Sequence, residues 1–419
     1  MPPPSALFDK DERTRSTPLH LGAVCQKWRQ LAWVTPQLWS SLFVGLFQES
    51  SQYNSSDLPQ LIAEWLERSA SSPLTIRFDR VSVNDGVYRE VINVLNKHSA
   101  KWYDMHFDLP PGYLHRLHGS SDSPRNILRR LVLCSRRPST RDSDFSTFSM
   151  KSKPSPTDLT LVMVGLRHVD IIWNNLTVAS VDYIGVDECF ELIRRAPVLE
   201  NLSLCRIYAS SRLFPIPNTR IVLPHLHSLE LSKIAEETVV AKILDSMCLP
   251  SLEQWIYDQP SLPLKNMISF IGCLSSRFKI FKIAVNEPDY HQVPRLLSFL
   301  SSLEFLSMEL CTPHTPSDEL FSALCSFAQS SLFLPQLQFL ELACEFHSPW
   351  KSLQQIFTLP HRQHLKVKIK TLFGHLLYHS KDENMKIVQE LVEKGFDLSI
   401  VRPDSQMDWL RSYKEAHDL

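Results

Sequence analysis

Sixteen histidines, nine cysteines and forty-five carboxylates supply enough side chains for metal or acid–base chemistry, so their spacing decides what they could do. Two histidine pairs, His115/His118 and His361/His364, stand three residues apart, an interval that sets two imidazoles on one helix face in the manner of zinc ligands. Neither pair has a third acidic or cysteine ligand at a fitting interval. The cysteines are scattered without a CxxC pair, which removes zinc ribbons and thioredoxin-type redox sites. Cys205, Cys325 and Cys344 sit inside apolar stretches and read as reduced core residues, because a free thiol packs like a small hydrophobe. Asp187, Glu188 and Glu191 crowd a predicted helix start, where the helix dipole is reason enough for them. His225 and His227 flank Leu226 and are expected to be exposed or hydrogen-bonded. No GxSxG, HExxH, GxGxxG or GxxxxGK[ST] occurs, and ten glycines are few for phosphate-cradling loops. The expectation is a non-enzymatic chain without metal or cofactor.

The elements that would position these residues are written as a repeat. From Leu226 the pattern apolar-x-x-apolar-x-apolar starts at residues 226, 252, 278 and 303: Leu226/Leu229/Leu231, Leu252/Trp255/Tyr257, Phe278/Phe281/Ile283 and Leu303/Leu306/Met308. Looser copies start at Trp102, Leu128, Leu166, Leu199 and Leu337. A core of this form at a period of roughly 20–29 residues is the leucine-rich-repeat signature, one short strand per unit joining a parallel sheet. Between the strands run amphipathic helices, at Asp187–Ala196, Glu237–Cys248, Leu264–Leu274, Tyr290–Leu300 and Ser317–Ala328. Strand and helix alternating at this pitch require parallel strands with helices on one outer side. The fold class is therefore α/β, a curved solenoid with an open strand face.

A chain of 419 residues with 43 % hydrophobic and 21 % charged residues has ordinary globular composition, and a net charge of −1 gives no reason to expect nucleic acid or an anionic membrane as partner. The opening MPPPSALFDKDERTR is polar where a signal peptide needs an apolar run, and no window reaches 18 apolar residues. A cytoplasmic or nuclear address is expected, in which the acceptor triplets at Asn54, Asn175 and Asn201 carry no sugar.

The array is irregular at its ends. Leu58, Leu61, Ile62, Trp65 and Leu66 mark a helix and PLTIRF (Pro73–Phe78) a strand; Val91, Ile92 and Leu95 mark a helix before the strand at Trp102. Residues 135–158, dominated by Ser, Thr, Pro, Arg and Lys, read as a disordered excursion with too little to bury. LKVKI (Leu365–Ile369) is a last or near-last strand. After it, Met385, Val388, Leu391 and Val392 line a helix stopped by Gly395 that caps the array. Ahead of the repeats, Leu21, Val24, Cys25, Trp28, Leu31 and Ala32 fall on one wide helical face; Thr35 is placed to cap and Pro36 to open a second helix carrying Leu38 and Trp39. Two short helices with both tryptophans inward would make a compact hairpin. The division is residues 1–17 a disordered start, 18–47 the helical module, 58–380 the solenoid with its excursion 135–158, and 381–419 a C-terminal cap.

The run LGAVCQKWRQLAWVTPQLWSSLFV, residues 21–44, resembles the second half of an F-box in the large fungal F-box-like family, where a V-C-x-x-W-R helix precedes T-P-x-L-W. That family continues with a helix and strand similar to EWLERSASSPLTIRF (Glu64–Phe78) and then irregular leucine-rich repeats. The resemblance implies a substrate-receptor subunit of a cullin-type ubiquitin ligase, its F-box on a Skp-family adaptor and its repeats on a target protein. It implies that Leu21, Val24, Cys25, Trp28, Leu31, Pro36, Leu38 and Trp39 belong to the F-box-like core. The family's opening L-P-x-E-I-L-x-x-I-F helix has no counterpart in residues 1–17, where Leu7 and Phe8 come nearest. The alternative is a repeat scaffold that no longer binds the adaptor.

Side chains alternate along a strand, so residues between paired core positions face outward. His106, Asp170, Ser203, Glu230, Ile256, Lys282, Ser307, Glu341 and Lys368 hold such positions. A target protein is expected to dock near Glu230, Phe305, Phe339 and Glu341; alternatively both phenylalanines turn inward and pack.

Overall fold

The computed structural model describes residues 18–45, 57–79, 85–119, 126–135, 147–310, 318–328, 333–344, 354–355, 364–371 and 382–401. The chain divides into two units, the first ending at Leu199 and the second beginning at Glu200. The first unit holds α1 (Pro18–Val24), α2 (Gln26–Trp33), a 3-10 turn at Pro36–Trp39, α3 (Leu58–Arg68), α4 (Asp85–Lys97) and α5 (Val186–Arg195). Its sheet runs in the order β1 (Ser41–Val44), β2 (Leu74–Phe78), β3 (Trp102–Asp108), β4 (Arg130–Cys134), β6 (Asp158–Val162) and β8 (Val178–Asp182). β5 (Phe148–Ser149) and β7 (Val169–Asp170) form a separate parallel pair. In the second unit the order is β9 (Asn201–Cys205), β11 (Ser228–Ser232), β13 (Gln254–Asp258), β14 (Ile280–Val285), β15 (Phe305–Leu310), β16 (Phe339–Cys344), β17 (Lys366–Thr371) and β18 (Leu398–Val401). β10 (Ile221–Val222) and β12 (Met247–Cys248) pair apart from it. The helices α6 (Glu237–Ser246), α7 (Leu264–Ile271), α8 (Val293–Leu297) and α9 (Asp318–Ala328) pack each on the next, as α3 does on α4. Within each unit the registers are parallel throughout. The fold is α/β, the strand–helix alternation of a repeat protein.

The leucine motif builds this arrangement through two devices. Its second and third residues are the buried alternate positions of each strand: Leu202/Leu204, Leu229/Leu231, Trp255/Tyr257, Phe281/Ile283, Leu306/Met308 and Leu340/Leu342 lie in register and out of water. Burying each such side chain stabilises by about 1.5–3 kcal/mol. The first residue closes the turn into the strand: Leu252, Phe278, Leu303 and Leu337 donate their N–H three residues back, to Leu249, Ser275, Leu300 and Leu334. The carbonyl two residues before the first buried strand residue then accepts two consecutive N–H groups from the next repeat. His227 and Ser228 both donate to Glu200, Glu253 and Gln254 to His227, Lys279 and Ile280 to Glu253, Glu304 and Phe305 to Lys279. That shared acceptor sets the register, and one period later the pattern starts again.

Several expectations change. The copy at Leu166 is a 3-10 turn, Leu166–His168, leading into β7; the sheet strands of that stretch are β6, with Leu159 and Leu161 inside, and β8, with Ala179 and Val181 inside. Residues 147–158 are structured rather than an excursion: Phe148 and Met150 are buried, β5 pairs with β7, and Asn126 donates to the Ser152 carbonyl at 3.0 Å. Residues 136–146 lie outside the described residues, as do the expected disordered start 1–17, the side chains of Cys344, Met385 and Val388, and the end of the expected cap beyond Val401. The tail of the helical module is itself a sheet strand, because Leu42 and Val44 continue from Trp39 in the same core pattern and β1 pairs with β2. LKVKI is next to last: the helix Asp382–Glu393, α10, ends at Gly395 in the left-handed region (φ +83°), and β18 then adds to β17. Cys205 sits half-exposed on the outward side of β9, while Cys325 is buried as expected.

Around α5 the acidic cluster does more than face a dipole. Glu188 accepts from the N–H of Leu166 at 2.9 Å and of the N-cap Gly185 at 3.3 Å, and Glu191 pairs with Arg194 and with Arg195 at 2.5 Å. Burial pushes the Glu188 carboxyl up, and these backbone hydrogen bonds pull it back.

Candidate functional site

Strand alternation and register line the outward side chains of the second unit into rows. One row reads Ser203, Glu230, Ile256, Lys282, Ser307, Glu341, Lys368 and Ser399 from β9 to β18, each opposite the next. The row beside it reads Asn201, Ser228, Gln254, Ile280, Phe305, Phe339 and Lys366. Phe305 and Phe339 do not turn inward. They stay half-exposed in this row and stack on each other, ring centroids 4.9 Å apart and planes 5° from parallel. Glu341, one row over, accepts from Ser307 Oγ at 3.1 Å and from Lys370 Nζ at 2.8 Å. Lys366, Lys368 and Lys370 share the outward side of β17, with Lys366 3.4 Å from Asp397. The KVKIK alternation carried this basic stripe in plain view, although only Lys368 was singled out from the sequence.

Glu230 belongs to a different part of the same face. Four strand steps separate β11 from β16, about 19 Å at the usual strand spacing. Burial pushes its carboxyl up and Asp258 adds to that, while the Ser203 hydroxyl and Lys282 oppose it. The face is therefore acidic toward β11 and β13 and carries an aromatic pair bordered by lysines toward β15–β17.

In the first unit the corresponding row is Phe43, Arg77, His106, Val132, Thr160 and Ser180. His106 is where the sequence put it, 3.8 Å from Asp79 and 4.0 Å from Cys134 Sγ. Asp170 is not: it lies on β7, bound by Lys153 Nζ at 2.5 Å and Ser149 Oγ at 3.2 Å. Thr160 and Ser180 stand on the sheet in its place.

The helical module departs most from expectation. Cys25 adopts an extended conformation (φ −161°, ψ 171°), so the anticipated single helix becomes α1 and α2. Most of its apolar face points to water: Val24 is 67 %, Trp28 49 % and Leu31 60 % exposed, with Cys25 exposed and Leu21 only partly covered, while Ala32 is buried. Leu19, Trp33 and Val34 add to this surface. The module is held instead by Trp39, fully buried, whose indole N–H donates to the Ala32 carbonyl at 2.7 Å and whose ring meets Trp65 edge-on at 4.9 Å. The Arg68 guanidinium covers the Trp39 ring at 4.7 Å. Thr35 binds backward, its hydroxyl donating to the Leu31 carbonyl at 2.7 Å, and the predicted second helix is one 3-10 turn with Pro36 and Leu38 half-covered.

Among the described residues no group of three His, Cys, Asp or Glu is placed to hold a metal ion. His118 Nδ1 lies 2.9 Å from the Gly119 carbonyl, His227 Nδ1 lies 3.2 Å from the Ser251 carbonyl, and His361 is outside the described residues. No described helix is long and apolar enough to cross a membrane.

No family model matches the chain, and no curated protein matches it. Among solved structures it matches a crystal structure of a Bacteroides fragilis protein from a structural-genomics programme, at 14 % identity over 62 % of this chain and 69 % of that one, with a TM-score of 0.35. A likeness at that level transfers neither fold detail nor function.

Proposed function

We propose that this chain is a non-enzymatic protein-binding repeat protein acting as a substrate receptor of a cullin-type ubiquitin ligase. Its helical module would hold a Skp-family adaptor and the outward face of the second unit a target protein, in the cytoplasm or nucleus. The observation that carries the reading is the exposed apolar surface of α1 and α2, where Leu19, Val24, Trp28, Leu31, Trp33 and Val34 are about half exposed or more. Exposed apolar groups clustered on a small module mark an interaction site. These residues lie in the stretch that resembles an F-box.

The test is capture of purified Skp-family adaptor by the intact chain and by a Trp28→Ala, Leu31→Ala variant. Adaptor retained by the chain and lost, by tenfold or more in affinity, from an equally stable variant is the expected result. No capture by the unmodified chain would overturn the adaptor reading and leave a leucine-rich-repeat binding scaffold.

A further inference from the structure

β12 and the turn that follows α7 hold a cluster of a guanidinium and two thiols on the helix side of the second unit's repeats. Arg220, just ahead of β10, donates from Nε to the Asp245 carbonyl at 3.0 Å. Its two terminal nitrogens donate to Ser269 Oγ and to Cys273 Sγ, each at 2.8 Å. The Cys248 thiol, at the end of β12, neighbours the Cys273 thiol, which donates to the Ser269 carbonyl at 3.9 Å. Both cysteines are free and partly exposed. Their backbones are fixed by the fold: Cys248 lies opposite Val222 and accepts from Leu223 N–H at 3.1 Å, and Cys273 N–H donates to the Phe270 carbonyl at 2.9 Å.

Two thiols in contact, one receiving a guanidinium hydrogen bond, form an electropositive and accessible environment of the kind in which cysteines react with oxidants. We infer that Cys248 and Cys273 form a peroxide-sensitive dithiol in which Arg220, donating to the Cys273 sulfur, makes Cys273 the attacking residue. The Cys273 sulfur gives up its proton as it attacks one oxygen of hydrogen peroxide, the O–O bond breaks, and the departing hydroxide takes that proton to become water, leaving a sulfenic acid. The Cys248 sulfur then gives up its proton and displaces hydroxide from the sulfenic sulfur, and the two leave as a second water. Two thiols lose two electrons to become one disulfide, and the peroxide takes them up. Burial and the neighbouring Cys273 thiol push the Cys248 thiol up while Arg220 pulls it down, which fits Cys248 to the resolving role. The bond would join β12 to the turn after α7, locking together two consecutive repeats.

The experiment exposes the reduced full-length chain to stoichiometric hydrogen peroxide and maps disulfides by mass spectrometry. A Cys248–Cys273 linked peptide is expected before modification at exposed Cys25, reversed by dithiothreitol. Cys248→Ser should leave Cys273 as a sulfenic acid trapped by dimedone. Arg220→Met should slow disulfide formation by about tenfold. Ser269→Ala, which removes one Arg220 partner without touching sulfur, should react at the unmodified rate. Oxidation at Cys25 with Cys248 and Cys273 still reduced would overturn the inference. So would slowing by Ser269→Ala equal to that by Arg220→Met, since the arginine would then act only by tying the turns together.

Discussion

Glu230 shows what a single outward position must reconcile. It lies on the side of β11 away from the core, yet Ile256 and Ser203 in register on both sides keep it half-buried, and burial raises its carboxyl above the ordinary value near 4.5. A carboxyl raised on folding binds its proton more tightly in the folded than in the unfolded chain, so stability falls as pH rises from the unfolded value through the folded one. That loss is absent below about pH 4 and grows as pH rises toward and through the folded value. Glu230→Gln removes the charge and is expected to raise Tm at pH 7 by about 1–2 °C and to leave it unchanged at pH 4. A thermal melt in which the variant is less stable at pH 7, or gains equally at both pH values, would show that Glu230 is held by partners rather than penalised by burial. The sequence displayed that Glu230 faces outward; its half-burial depends on neighbours a repeat away and was not legible from β11 alone.

At the scale of elements, the strands of the second unit were readable because each presents three large apolar residues in one pattern. β6 and β8 were missed for a physical reason: Pro156 stands where β6 would have its first core leucine, and β8 uses the small Ala179 as an inner residue. Leu166, Val169 and Ile171 satisfied the pattern in their place, because burial in a 3-10 turn and a two-residue strand selects the same residue types. The helical module failed differently. Periodicity drew one apolar helical face that the break at Cys25 divides and leaves largely open, while the anchoring by Trp39 depends on contacts with α3. The two tryptophans are therefore predicted to part company. Trp39→Ala, emptying a fully buried site, should cost about 3–5 kcal/mol in urea denaturation, and Trp28→Ala should stay within about 0.5 kcal/mol of the unmodified chain. Equal losses would mean that Trp28 is part of the core.

For the whole molecule, the two units present different surfaces. The first carries an uncovered apolar module; the second carries an outward face with a stacked Phe305–Phe339 pair and the β17 lysines. If that pair is surface equipment, Phe305→Ser with Phe339→Ser loses a stack worth roughly 1 kcal/mol and some half-buried area. Tm should fall by about 2–5 °C with adaptor capture unchanged, whereas cooperative folding lost outright would place both rings in the core. Repeat architecture was legible in the sequence because period and core pattern are local properties. What the outward residues bind was not, since neither period nor core pattern constrains them.

The most direct test of the division of labour is amide hydrogen exchange of the intact chain with and without saturating Skp-family adaptor. Slowed exchange confined to residues 18–34, with β13–β17 unchanged, is the predicted result. Protection on β13–β17 with none at 18–34, or no protection at all, would contradict it.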